Sequence, residues 1–313
     1  MSFKFIDLFA GIGGMRIAFE RAGGTCVYSS EWDQHAQKTY FENHGDLPDG
    51  DIQKVDEDNI PKFDLLLGGF PCQPFSTIGL RQGFRHETQG TLFFDIARIL
   101  EFHLPTGFLL ENVPGLESHD GGNTWKVIKA SLESLGYRVW WKVLDSSDFG
   151  LPQKRKRIYI VGILEGSYSE PFQFPKGGQE PPNVGTILEE SVVGYTISKQ
   201  LQKNYIFKKD DGRPQVLDTQ SLGTAKTLVA SYHKIQRLTG TFVADGPTGL
   251  RLLSELECKR LMGFPDDFKF PVSRTQMYRQ LGNSVAIPVV EAIAERLVGI
   301  LRTGANRDER MAG

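Results

Sequence analysis

A cysteine stands between two prolines in GGFPCQPFST, residues 68–77. Pro71 and Pro74 restrict the backbone on either side of Cys72, and the two glycines close the run KFDLLL, which reads as a buried strand. A rigid thiol at the carboxyl end of this strand, counted here as the fourth, is a candidate nucleophile; the plainer alternative is a small buried hydrophobe. Glu111 and Asn112 end the next strand, GFLL. In LPQKRKRIYIVG, Arg155 and Arg157 occupy alternate positions before the last strand and hence one side of it. Thiol, carboxyl and paired guanidinium groups thus converge on one edge.

A second group of residues follows the first strand, in DLFAGIGGMR. Gly11, Gly13 and Gly14 allow a tight turn and close approach to a ligand, and the helix after them offers free N–H groups. A dinucleotide fingerprint wants a glycine where Arg16 stands, which weakens a hydride-transfer reading. Phe9 offers an aromatic face. Glu31 ends the second strand twenty residues after Gly11, where a carboxylate meets ribose hydroxyls, and Trp32 and Asp33 follow it. In GDI at 50–52, Asp51 is placed to accept from an exocyclic amine and Ile52 to pack on a ring. The reading is an adenosine-type pocket; the alternative is a bare turn with Glu31 as a helix cap.

The elements that position these residues alternate through the first 163 positions. FKFIDLF, TCVYSSE, KFDLLLGG and TGFLLEN read as strands, separated by the helical MRIAFERAG, DQHAQKTYFENH and TLFFDIARILEF. In the last of these Leu92, Phe93, Ile96, Ile99 and Leu100 share a face. NTWKVIKASLESLG is a further helix, and YRVWWKVLD and RIYIVGIL are joined by a loop too short for a crossover, so at least one of them is antiparallel. The pattern predicts an α/β doubly wound sheet. From Glu165 to about Gly249 the alternation fails and a smaller domain is expected; SELECKRLMG and AIPVVEAIAERLVGIL then return to the first domain.

Composition narrows the class. Of 313 residues, 40% are hydrophobic, enough for a core, and the net charge is −2. The segment from Lys199 to Gly240 carries eight basic against three acidic residues, leaving −7 on the remainder. Such a stretch suits a phosphate-facing surface, with an ordinary solvated face as the alternative. No run is long enough for a membrane span and the start shows no leader pattern, so the expectation is a cytoplasmic protein. Cys26, Cys72 and Cys258 are too scattered for a zinc site or a disulfide framework, and no metal is expected.

Taken together, DLFAGIGG, FPCQPFS, ENV, QKRKR and RQLGNSV occur in the order found in bacterial-type DNA (cytosine-5-)-methyltransferases, and the sequence resembles that family over nearly its whole length, least from about 165 to 218. The resemblance implies S-adenosyl-L-methionine as cofactor, a Rossmann-like methyltransferase sheet and a small target-recognition domain. The expected division is 1–185 plus 285–313 catalytic, 186–250 target recognition and 251–284 a returning hinge. Carried over by position, Cys72 resembles the nucleophile, Glu111 the acid at the base's ring nitrogen, and Arg155 and Arg157 the active-site arginines. Phe9, Ala10, Gly11, Gly13, Gly14, Glu31, Trp32, Asp51, Ile52, Pro71, Leu92, Asn283 and Ser284 match the cofactor pocket. The chemistry needs these types: a thiolate adding at C6 loads electron density onto C5, and an acid at N3 takes up charge. Glu111 is therefore expected to have a pKa raised by burial, with the arginines not placed to hold it fully ionised.

The partner implied is double-stranded DNA, with the target base rotated out of the stack and one subunit sufficient. STIGLRQGFRHETQG at 76–90 is expected to be a mobile lid. Gln73, Ser76, Arg81, Arg85, Thr227, Lys234, Gln236 and Arg237 are the candidate DNA contacts. The setting implied is a restriction-modification system with a cognate endonuclease, or a phage or orphan enzyme. Two departures are Gln89 and Leu256, where relatives frequently have arginine; the second puts a packing contact in doubt. A tRNA cytosine methyltransferase and a non-catalytic binding module are the rivals.

Overall fold

The computed structural model describes residues 2–71, 92–168 and 170–311. Cys72, Gln73, Ser76, Arg81 and Arg85, together with Gln89 and the expected lid, lie outside the described residues.

Six strands, β1 (Phe3–Leu8), β2 (Gly24–Ser30), β3 (Leu65–Gly69), β4 (Gly107–Asn112), β5 (Tyr137–Asp145) and β6 (Lys156–Leu164), form one sheet in the order β2-β1-β3-β4-β6-β5. Pairing is parallel from β2 to β4; β6 runs antiparallel to both neighbours, as the short β5–β6 connection requires. The strand ahead of Cys72 is the third in the chain, not the fourth, because a helix, Gln34–His44, and two 3-10 turns, Ile52–Lys54 and Glu57–Asn59, but no strand, lie between β2 and β3. Helices α1 (Gly14–Arg21), α2 (Gln34–His44), α3 (Leu92–His103) and α4 (Asn123–Ser134) follow the strands as the sequence pattern predicts.

The continuous apolar run of β3 has a simple reason. Leu65 and Leu67 point into one core with Ala18 and Phe19 of α1, while Leu66 points into the other with Ile96 and Ile99 of α3 and Ile128 of α4; all are fully buried. A strand covered on both faces cannot alternate with polar residues. Each such leucine contributes about 1.5–3 kcal/mol of burial. In α3 the buried face is Phe93, Ile96, Ala97, Ile99 and Leu100; Leu92 is only partly buried.

Beyond β6 the chain forms a short helix α5 (Lys199–Leu201) and a parallel pair, β7 (Gln215–Leu217) with β8 (Thr241–Val243). Val184, Ile206, Leu228 and Phe242 of this stretch belong to the same apolar cluster as α1. The chain returns through α6 (Glu255–Met262), α7 (Arg274–Asn283) and α8 (Ile287–Met311), whose Ile287, Val290, Ile293, Ala294 and Leu297 are buried at helical spacing. Sequence periodicity missed α7 as a helix, because its short apolar face of Met277, Tyr278 and Leu281 is interrupted by Arg279 and the buried Gln280. No helix among the described residues is long and apolar enough to cross a membrane.

The return is pinned by ion pairing. Arg251 and Glu257, both fully buried, exchange two hydrogen bonds of 2.8 Å, and the Arg251 guanidinium also reaches Asp245 at 2.8 Å and donates to the Glu189 carbonyl at 2.7 Å. Glu257 in turn accepts from the Ser254 amide at 2.7 Å in a capping box that starts α6. Packing at this point therefore has its cation in Arg251, although Leu256 occupies the position where an arginine is frequent. Replacing Arg251 with Met should lower stability by about 3–5 kcal/mol in urea denaturation, because Glu257 would stay buried without its countercharge. Converting Glu257 to Leu as well should recover much of that loss; a single variant as stable as the parent would show that the pair holds nothing.

Candidate active site

At the carboxyl ends of β1 to β4 the structure has a cleft of about 790 Å³. Phe9, Ala10, Gly11, Gly14, Glu31, Trp32, Asp51, Ile52, Pro71, Leu92, Asn283 and Ser284 all border it. Gly13 does not. Its φ of 83° and its place at the N-cap of α1 need a glycine, and a Cβ there would lie 2.1 Å from Nε2 of His44. That imidazole lies 3.3 Å from the Ile12 carbonyl, so Gly13 shapes the turn from behind. Phe9 leaves β1 with φ of 55°, a left-handed conformation uncommon for an aromatic residue, at the point where the chain bends around the cleft.

Glu31 is held by both ends. One carboxylate oxygen accepts from the Gly11 amide and the other from the Asp33 amide, each at 2.8 Å. Burial raises its pKa above the ordinary range, partly offset by these amides. Asp51 caps its own turn by accepting from the Gln53 amide at 3.2 Å, and Trp32 is 77% exposed at the rim. Three residues that border the cleft, Asp7, Ser30 and Gln280, also carry buried polar atoms with no partner. A large indole, two carboxylates and unspent acceptors and donors suit an adenosine bearing a charged amino-acid chain, so the residues present fit S-adenosyl-L-methionine.

The catalytic edge adjoins this cleft. Register pairs Gly69, the last residue of β3, with Glu111 of β4, so the chain leaving β3 toward Cys72 starts beside the Glu111 carboxyl. Arg157 Nε lies 3.0 Å from Oε1 of Glu111, and both side chains are largely buried. Burial raises the Glu111 pKa; the opposing pull of Arg157 and then Arg155 does not cancel it. The carboxyl therefore keeps part of its proton affinity even with a guanidinium against it, as the chemistry needs. Asn112 donates to the Phe70 carbonyl at 2.8 Å and receives the Val113 amide at 2.8 Å, tying the ends of β3 and β4 together.

The other cysteines have no exposed thiolate to offer. Burial pushes Cys26 up to about 12, and Cys258 is fully buried with its pKa raised well above the ordinary thiol value.

Two arginines depart from expectation. Arg155 does not border the cleft: it is 2% exposed and donates to the carbonyls of Leu228 at 2.9 Å, Gly282 at 2.9 Å and Ser284 at 2.6 Å. Alternation placed it beside Arg157, but three buried carbonyls capture its guanidinium. Burial lowers its pKa to about 9, which still leaves it charged at neutral pH. Arg237, a candidate DNA contact, is 6% exposed and spent on the carbonyls of Ile206 and Lys209, each at 3.0 Å, and on Asp211. It braces its segment instead of reaching outward. Thr227 gives its hydroxyl to the Lys154 carbonyl at 2.6 Å, whereas Lys234 and Gln236 are exposed. Lys199, Lys203, Lys208, Lys209 and Arg213 are exposed too, so the basic stretch keeps a cationic surface without Arg237.

Sequence reasoning missed Asp7, Ser30 and Gln280. The first stands in DLFAGIGG and the last in RQLGNSV, so the motifs contained them; only burial without partners singles them out.

Comparison with known proteins agrees with this geometry. The family described as C-5 cytosine-specific DNA methylase matches residues 3–299. Type II methyltransferase M.MspI of Moraxella sp. is 58% identical over 301 residues, 96% of this chain and 72% of that protein. Type II methyltransferase M.BsuFI of Bacillus subtilis is 59% identical over 293 residues, 93% and 71% of the two. Among solved structures, the S. pombe Dnmt2 methyltransferase superposes with a TM-score of 0.76 at 22% identity, over 97% of this chain and 99% of that one. Spodoptera frugiperda DNMT2 gives 0.75 at 24%, over 96% and 99%. At such identities the two structures bear on the fold alone.

The Asp7 carboxyl makes a measurable prediction. Burial raises its pKa from 3.8 to about 7, against the pull of Arg16. A folded-state pKa above the unfolded one means that its stabilisation is complete below about pH 4 and lost as pH rises to about 7. Asp7→Asn should therefore gain stability relative to the parent across that window, by an order of a few kcal/mol, and hold a constant difference above it. Urea denaturation of the ligand-free chain at several pH values measures this; parallel curves would show that Asp7 titrates normally.

Proposed function

The chain belongs to the C-5 cytosine-specific DNA methylase family, and from that premise we propose that Cys72, Glu111 and Arg157 carry its chemistry. It is a DNA (cytosine-5-)-methyltransferase with S-adenosyl-L-methionine as methyl donor. The observation that supports the residue assignment is the pairing of a buried Glu111, its pKa raised by that burial, with Arg157 at the edge where β3 ends.

The steps follow from what each side chain can do. Cys72 thiolate forms a bond to C6 of an extruded cytosine, and the displaced electron pair becomes available at C5. Glu111 donates its proton, or a hydrogen bond, to N3 and so takes up the charge that the addition creates. Arg157 orients Glu111 and presents a fixed positive charge to the O2 side of the base. When bound, S-adenosyl-L-methionine supplies an electrophilic methyl group. Water takes the C5 proton, the C–H electron pair re-forms the C5–C6 double bond as the C–S bond breaks, Cys72 leaves as thiolate, and N3 returns its proton to Glu111. Glu31, Asp51, Trp32 and the first turn of α1 hold the adenosine part. Arg155 acts one step back, fixing the turn after α7 against the Leu228 segment.

For partners we propose duplex DNA read by residues 186–250, with Lys234 and Gln236 exposed for contact and the neighbouring lysines on phosphates. The remaining residues, 1–185 with 285–313, form the catalytic unit, and 251–284 the return between them. A monomer acting in the cytoplasm beside a cognate restriction endonuclease is the setting this reading favours. The Type II designation of the two relatives supports its restriction-modification part.

Cys72→Ser should reduce methyl transfer to duplex DNA by more than about a thousandfold while leaving S-adenosyl-L-homocysteine affinity nearly unchanged. The parent chain, and not the variant, should be trapped on duplex DNA containing 5-fluorocytosine. Retained transfer in the variant would remove Cys72 from the mechanism, and preferential methylation of tRNA over duplex DNA would overturn the substrate.

A further inference from the structure

Asp51, Ile52 and Gln53 border the cleft, and Arg98 of α3 does not. Asp51 caps the 3-10 turn Ile52–Lys54, whose backbone bonds run from the Lys54 amide to the Asp51 carbonyl at 3.0 Å and from the Val55 amide to the Ile52 carbonyl at 3.1 Å. A turn of three residues, with the poor bond geometry of its type, does not fix its own place. Upstream the chain is tied to β2, where the Asp49 amide donates to the Ser29 carbonyl at 2.9 Å and the Glu31 amide to the Asp49 carbonyl at 2.8 Å.

Downstream the tie is Arg98. Its guanidinium donates to the Ile52 carbonyl at 2.6 Å and the Val55 carbonyl at 3.0 Å, and pairs with Glu57 at 2.7 Å. Its Nε is held at 3.0 Å by Asp95, one turn earlier on the same helix, which fixes the plane of the fork. Further along α3 a ring nitrogen of His103 lies 3.0 Å from the Glu57 carbonyl. One face of α3 thus grips residues 52–57 from outside the cleft. On the cleft side the turn carries two features that suit a purine. Ile52 is 3% exposed and packs in one cluster with Ile96 and Ile99 of α3. Asp51 accepts the Gln53 amide on Oδ1, while its Oδ2 has the exposed Lys54 amine 3.8 Å away, too far for a strong bond, and so keeps capacity to accept.

We propose that Arg98 is a positioning residue for the adenine end of the methyl donor. By holding the Ile52 and Val55 carbonyls it keeps Asp51 where its carboxylate accepts from the exocyclic amine of the base, and so gives the site its preference for adenine. This rests on the methyltransferase reading above. Arg98 itself touches no ligand: its effect reaches the cofactor through the turn.

The test compares two ligands that differ only in that amine. Isothermal titration of the full chain with S-adenosyl-L-homocysteine, and with the analogue carrying hydrogen in place of the adenine amino group, should show the parent preferring the first. Arg98→Met should weaken the first by about tenfold and the second by no more than about twofold. Methyl transfer by the variant should show the same loss in KM for the donor, with kcat changed by less than about threefold. Arg98→Lys, which keeps the charge without the planar fork, should show the same selectivity at smaller size and carries the test if the Met variant does not fold. Equal losses for both ligands, no loss for either, or a parent indifferent to the amine would overturn the assignment and leave Arg98 as a brace of the fold. Failure of the parent chain to bind S-adenosyl-L-homocysteine at all would instead overturn the methyltransferase reading and this inference with it.

Discussion

A carboxyl group whose proton affinity is raised by burial while it touches a guanidinium is the constraint on which the proposed active site depends. In water, the Arg157 contact at 3.0 Å would hold Glu111 ionised. Burial at the end of β4 works against that contact, and it prevails because the surrounding strands admit almost no solvent: Leu110, Ile158 and Ile160 are fully buried. The apolar sheet is thus part of the chemistry. A looser core around β4 and β6 would let water in and lower the Glu111 pKa.

The same logic explains why so many polar groups near the site are spent on backbone. Arg155 could have been a second cation for the substrate, yet its charge goes to three carbonyls that close the gap between the Leu228 segment and the end of α7. Gly282 shows how tight that gap is, since a Cβ there would lie 2.2 Å from the Ala230 amide nitrogen. One junction therefore serves two neighbours: Asn283 and Ser284 border the cofactor cleft, and the residue just before them abuts the basic segment.

Most of the sheet was legible from hydrophobic pattern, because β1, β3, β4 and β6 are covered on both faces and read as apolar runs. Twelve of the thirteen cofactor positions carried over from motifs border the cleft, and the thirteenth, Gly13, shapes its turn from behind. What sequence could not convey was side-chain commitment. Arg155 and Arg237 look like free cations in a string of letters, and only the fold reveals the carbonyls and carboxylate that claim them. Gln280 is the converse case, a residue typical of surfaces that is buried with its side-chain amide against the Thr39 hydroxyl of α2. Helix α7 was missed for a related reason: a helix that lines a polar cleft has too narrow an apolar face to show its period.

The basic segment divides its residues in a way that bears on how such a surface can change. Its apolar side chains, Ile206, Leu217, Leu228, Tyr232 and Phe242, belong to the same packed cluster as α1, and Arg237 ties the segment to itself. Its exposed residues, Lys203, Lys208, Lys234 and Gln236 among them, carry none of that packing. Substitution at the exposed positions costs the core little, whereas substitution at the buried ones disturbs the junction that also borders the cleft. If this segment reads DNA as proposed, variation in what is read is kept apart from the geometry that performs the transfer, although both are built on one continuous core.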